Sequence, residues 1–176
     1  MEDTLINRVA ESGLITINLE SYYPEKEFII FDLKDYLFQG LILKEKDFRI
    51  ALKEHDWTQY TDRIVLISCS ADAIIPLWAY MLVTSYLEGK CADIFCGTQE
   101  EYLKAHYRTV LQSLQPEQYA EKRIVIKGCS HRVVPASAYS AVTALLQPYA
   151  QSIMFGEPCS TVPVFKRPRL IHSENN

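Results

Sequence analysis

The feature that most restricts this chain is a stretch that occurs twice. Arg63 to Gly97 (RIVLISCSADAIIPLWAYMLVTSYLEGKCADIFCG) lies over Arg123 to Gly156 (RIVIKGCSHRVVPASAYSAVTALLQPYAQSIMFG) once one residue is removed from the loop after the Cys-Ser pair. Before the gap, Arg63, Ile64, Val65, Cys69 and Ser70 match Arg123, Ile124, Val125, Cys129 and Ser130. After it, Pro76, Ala79, Tyr80, Val83, Thr84, Leu87, Ile94 and Gly97 match Pro135, Ala138, Tyr139, Val142, Thr143, Leu146, Ile153 and Gly156. Matches that continue in register on both sides of a gap point to a structural repeat rather than to a shared composition.

Each copy has the order of a βαβ unit. A short β-branched run (Ile64 to Ile67, Ile124 to Ile126) ends at the Cys-Ser, and a proline follows where a first helical turn accepts one. Leu77 to Leu87 and Ala136 to Leu146 carry apolar residues at helical spacing, and Gly89 or Pro148 stops them. A second apolar run, Ala92 to Cys96 or Ser152 to Phe155, then ends at a glycine. Each copy is long enough for a parallel crossover. The expected fold class is therefore α/β, with a parallel core sheet built from the two βαβ units and additional N-terminal strands at Leu14 to Leu19 and Phe28 to Phe31. Lys44 to Glu54 and Gln99 to Leu114 read as further helices, Thr161 to Phe165 as extended, and residues from about 167 to 176 as a frayed tail. No composition break divides the chain, so residues 1–176 are expected to form a single domain. The basic cluster of the tail, Lys166, Arg167 and Arg169, reads as a solvated end.

Composition narrows the function classes. With 48% hydrophobic and 23% charged residues in 176, the chain is globular and can bury its own core. A net charge of -4 argues against nucleic acid as a partner. The apolar runs fall well short of the roughly 20 residues that span a bilayer, so no membrane partner is expected. The first residues, MEDTLINRVAESG, hold no apolar segment of the signal-peptide kind, which makes the cytoplasm the expected compartment. The motifs GxGxxG, GxxxxGK, HExxH and GxSxG are absent, removing the usual support for dinucleotide, nucleotide-phosphate, zincin and hydrolase chemistry. Whether the chain is an enzyme stays open.

Chemistry concentrates on the five cysteines, Cys69, Cys91, Cys96, Cys129 and Cys159. An odd number with no CxxC pair fits neither a disulfide framework nor a zinc ribbon. Ligands of parallel sheets bind beyond the carboxyl ends of the strands, where helix N-termini also favour thiolate. The repeat puts Cys69 and Cys129 there, and Gly156-Glu157-Pro158-Cys159 follows a strand ending on the same edge. These three are the candidate metal ligands, holding zinc or an iron–sulfur cluster because thiolates select soft metals. Asp72, His131 and Glu157 lie within a few residues of them as a possible further ligand. Two alternatives stand beside this reading: a thiol-dependent enzyme or sulfur carrier, and a metal-free interaction module with all thiols buried, a homo-oligomer being compatible with each. Cys91 and Cys96 align with Ala150 and Phe155 and are expected to be core residues. His55, His106 and His172 have no partner at motif spacing and read as surface or capping residues.

Four separated segments carry a family likeness: DLKDYLFQGLILKEKDFR (Asp32 to Arg49), CSADAIIPLWAYML (Cys69 to Leu82), IKGCS (Ile126 to Ser130) and GEPCSTVPV (Gly156 to Val164). They resemble the bacterial family catalogued as domain of unknown function 2480, and the likeness covers nearly the whole chain. The resemblance brings no established activity and no ligand assignment. Its members often lie beside iron–sulfur cluster assembly genes, which implies an accessory role in iron–sulfur metabolism with assembly proteins as partners.

Overall fold

The computed structural model describes residues 13–128 and 131–168; Cys129, Ser130, Arg169 and His172 lie outside them. Among the described residues, seven strands and four helices follow one another as expected of an α/β chain: β1 (Leu14–Asn18), β2 (Phe28–Asp32), α1 (Glu45–Glu54), β3 (Ile64–Ser68), α2 (Leu77–Leu87), β4 (Asp93–Cys96), α3 (Gln99–Leu111), β5 (Arg123–Lys127), α4 (Ala136–Leu146), β6 (Ser152–Glu157) and β7 (Ser160–Lys166). They do not build one sheet. One sheet has the order β2-β3-β4 and is wholly parallel. The other has the order β1-β5-β6-β7, parallel except for β7, which returns antiparallel to β6. The expected common core sheet is thus corrected to two, and the physical reason is the N-terminal strands. Each takes a place beside the first strand of one repeat, β1 next to β5 and β2 next to β3, so neither repeat strand has a free side for the other.

The chain correspondingly divides into two compact units, Pro24–Tyr102 and Met1–Tyr23 with Leu103–Asn176. In the first, Ile64, Val65, Leu66 and Ile67 of β3 are all buried, as a central strand covered on both faces requires. Helix α2 buries Ala79, Val83 and Leu87. In the second, α4 buries Ala138, Val142 and Leu146, the aligned residues. Thr84 Oγ1 donates to the Tyr80 carbonyl at 2.9 Å, and Thr143 Oγ1 to the Tyr139 carbonyl at 2.7 Å. Register differs by one residue, however: Val65 pairs with Ile94, whereas Ile124 pairs with Ile153.

A further likeness escaped the sequence comparison. Strands β1 and β2 both end on an Asx residue whose side chain caps a 3-10 turn. Asn18 Oδ1 accepts from the Glu20 amide at 3.1 Å, and Asp32 Oδ1 from the Lys34 amide at 2.9 Å. The leucine after each, Leu19 or Leu33, is fully buried. Nine-residue segments, LITINLESY and FIIFDLKDY, therefore form the same local structure with few identical residues.

The core of the Pro24–Tyr102 unit is aromatic on one side. Phe31 stacks on Tyr36 and Trp57 with ring centroids at 5.2 and 5.8 Å, and Trp57 stacks on Tyr86 at 5.1 Å. His55 sits within this group. Its Nδ1 meets Tyr36 Oη at 3.0 Å and its Nε2 meets Tyr60 Oη at 2.9 Å. The Gln59 side-chain nitrogen also lies 3.2 Å from Nε2. A neutral imidazole, one nitrogen donating and the other accepting, suits those hydroxyls. Burial holds the His55 pKa below its ordinary 6.5, partly offset by the adjacent Asp56. In the other unit, the fully buried Tyr107 donates its hydroxyl to the Leu19 carbonyl at 2.9 Å, tying α3 to the end of β1.

Two outcomes follow. Tyr107→Phe leaves the buried Leu19 carbonyl without that donor and should cost about 1–2 kcal/mol in urea unfolding; a change near zero would mean that water replaces the phenol. Because folding lowers the His55 pKa, the unfolded chain binds more protons below about 6.5, so stability is present above that value and lost as pH falls from it. A scan of melting temperature from pH 8 to 5 should show this loss, and His55→Gln should flatten it.

Candidate functional site

The carboxyl edge of the β2-β3-β4 sheet is held in place by Asp32. Its Oδ1 accepts from the Lys34 amide and, at 3.0 Å, from the Ser70 amide, so the loop leaving β3 is fastened to the end of β2. Burial pushes the Asp32 carboxyl up, but the hydrogen bonds from Ser70 and the Lys34 amide outweigh it and leave the pKa below its ordinary value. That anchored loop carries Cys69, half-buried, whose Sγ donates to the Ala71 carbonyl at 3.6 Å.

Strand β4 brings a second sulfur to the same edge. Cys96 is the parallel partner of Ile67, two residues before Cys69, so the two cysteines belong to neighbouring strand ends. Both line a cleft of about 510 Å³, whose walls include Ile67, Leu77 and Tyr80. The strand then turns at Gly97, whose φ of +142° is a conformation that side-chain-bearing residues rarely adopt. A Cβ placed there would stand 2.7 Å from Glu101 Oε2, the carboxylate that accepts from the Thr98 amide at 2.8 Å and so caps α3.

Two groups of the cleft, Cys96 and Tyr80, are held toward their protonated forms. Although Cys96 is exposed as a residue, partial burial of its thiol pushes the pKa up. Burial also raises the Tyr80 phenol, with smaller contributions from Cys69 and Cys96, which places Tyr80 within electrostatic reach of each sulfur. A soft cation entering such a site would displace protons from sulfur as it bound.

The sequence-derived ligands fall on both units. Cys69 stands on the edge just described. Cys159 belongs to the other unit, exposed in the Pro158–Cys159 turn between β6 and β7. Cys129 lies outside the described residues. Of the further candidates, Asp72 is exposed in the loop before α2. His131 is exposed and uses its amide to donate to Glu20 Oε1 at 2.9 Å. Glu157, at the end of β6, pairs with Lys127 Nζ at 3.0 Å. Among the described residues, no group of three or more His, Cys, Asp or Glu side chains is placed to hold a metal ion.

The treatment of Cys91 and Cys96 as equals is corrected. Cys91 is half-buried against the core, donates Sγ to the Leu87 carbonyl at 3.6 Å, and has its pKa raised first by burial and then by Asp93 and Glu88. Cys96 is exposed at the cleft. Its aligned residue, Phe155, is exposed as well, so the alignment marks a surface position in both copies. The hydrogen-bonded group Tyr36–His55–Tyr60 was also missed. Its only trace in the sequence is a histidine flanked by Trp57 and Tyr60, and Tyr36 arrives from a distant turn.

No helix among the described residues is long and apolar enough to cross a membrane. No curated protein and no solved structure matches the chain. A family model does: it aligns with residues 3–167, embracing both units, the Cys69–Cys96 edge and the β6–β7 hairpin, and the chain therefore belongs to the family described as protein of unknown function DUF2480.

Proposed function

We propose that this chain is a metal-binding accessory protein that takes a soft, thiophilic ion between Cys69 and Cys96. The observation that carries the reading is the pair of cysteines at neighbouring strand ends lining one cleft. Sulfur donors select soft metals, and two of them suit an ion of low coordination number better than a cluster needing four thiolates. Leu77 and Ile67 keep the surroundings apolar, and Tyr80 supplies a polar group beside the sulfurs. Binding requires deprotonated sulfur, so the raised Cys96 pKa makes affinity fall steeply with pH.

The wider form of the proposal is an accessory role in iron–sulfur metabolism, with zinc or a cluster held by Cys69, Cys129 and Cys159 and with assembly proteins as partners. The family resemblance is its support. The two forms make opposite demands on individual cysteines, so one series of variants separates them.

Elemental analysis and absorption spectra of anaerobically purified protein, before and after loading with Cu(I), Zn(II) or iron with sulfide, should be compared across Cys→Ser variants. In the two-sulfur form, Cys69→Ser and Cys96→Ser each weaken binding by roughly tenfold or more, and Cys129→Ser and Cys159→Ser leave it unchanged. If Cys129→Ser and Cys159→Ser lose metal while Cys96→Ser keeps it, the three-cysteine form is the correct one. Wild type that takes up no metal at all would sink both. Loaded protein should also release its ion as pH falls, and a chelator should lower its melting temperature to that of the Cys69→Ser variant.

A further inference from the structure

The opposite, amino-terminal edge of the β1-β5-β6-β7 sheet carries a row of three polar residues that nothing above employs. Arg123 on β5 is the register partner of Ser152 on β6, and Ser152 is the partner of Lys166 on β7. Register partners point to the same face of a sheet, and adjacent strands lie roughly 4.8 Å apart. Two long cationic side chains therefore flank a hydroxyl-bearing residue, their strands separated by roughly 10 Å. The three line a cleft of about 470 Å³ whose remaining wall includes Met154, Pro163 and Phe165, and among the described residues no carboxylate lines it. Lys166, expected in the solvated tail, is thus the last residue of β7.

Among the described residues, the charges in this row have no counter-charge in an ion pair: neither Arg123 nor Lys166 has such a partner. The neighbouring Arg167 is occupied: its guanidinium donates to Glu121 Oε1 at 3.3 Å and to the Pro148 carbonyl, which also takes up the nearby acid. The other repeat supplies a comparison. Arg63, aligned with Arg123, pairs with Glu27 at 3.8 Å. Asp93, aligned with Ser152, is an acid that accepts from Tyr102 Oη at 2.8 Å. Where the first copy contains its own carboxylates, the second has serine, Leu14 beside Arg123, and an added lysine from β7.

We propose that this cleft binds a small phosphate-bearing molecule, with the phosphate over Ser152 between Arg123 and Lys166 and an apolar body against Met154, Pro163 and Phe165. Two cations and a hydroxyl donor match a dianionic oxyanion. The planar guanidinium can engage two of its oxygens at once, which an ammonium cannot. The volume suits a small ligand rather than a polymer. This site is independent of the thiol cleft, and its success or failure leaves that reading untouched.

Phenyl phosphate, benzoate and inorganic phosphate serve as probes, followed through the Met154 methyl resonance and by titration calorimetry at low and moderate salt. Phenyl phosphate should shift the Met154 signal and bind more tightly than either other probe, with affinity falling as salt rises. Arg123→Gln and Lys166→Gln should each weaken it about tenfold, and Arg123→Lys should recover part of that loss. Arg49→Gln, a surface change in the other unit, should have no effect and guards against a nonspecific charge response. Benzoate binding as tightly as phenyl phosphate would overturn the dianion assignment. An unshifted Met154 signal at millimolar phenyl phosphate, or an Arg123→Gln/Lys166→Gln double variant that folds and binds like wild type, would overturn the site.

Discussion

The structure rests on the parallel pairing of β1 with β5, which joins Leu14 to Arg123 and Asn18 to Lys127 across most of the chain. Parallel neighbours cannot be joined by a tight turn, and here the connection between the two strands includes the whole intervening unit. Strand β2, by contrast, reaches β3 within a few tens of residues. The loop-closure entropy of the longer pairing has to be met by burial of Ile17, Ile124, Val125 and Ile126 before it is rewarded. Because each N-terminal strand takes the side of a repeat strand that the other copy would need, this pairing also decides that there are two sheets.

From that partition follows the exposure of the chemistry. A three-stranded sheet leaves β4 at an edge, and an edge strand leaves Cys96 open to the cleft it shares with Cys69. In the other unit, the hairpin to β7 covers β6, and the bulge between Ile153 and Met154 together with Pro163 blunts the new edge. The same hairpin brings Lys166 alongside Ser152 and Arg123. The added strand therefore supplies one of the two cations of that row.

The two copies show how a common local plan supports different surfaces. Buried positions of α2 and α4 agree residue for residue, Ala79 with Ala138, Val83 with Val142 and Leu87 with Leu146, because close packing against a sheet tolerates little change in volume. Exposed positions are released from that constraint. Leu77 and Met81 are 80% and 73% exposed, and serine or alanine stands at the aligned positions Ala136 and Ser140.

What the sequence determined by itself was local: the helices and strands, the prolines and glycines that bound them, the buried stripe of each helix, and the placement of Cys69 at a strand end. These follow from periodicity and turn chemistry, which neighbouring residues encode. Tertiary structure alone decided that β1 and β2 enter separate sheets, that Cys96 shares a cleft with Cys69, that His55 lies between Tyr36 and Tyr60, and that Lys166 joins Arg123 across Ser152. Each of these depends on which strand sits beside which and on how many neighbours a strand has. Strand pairing is a long-range choice among edges with similar hydrogen-bonding groups, and no local pattern in the chain records its result.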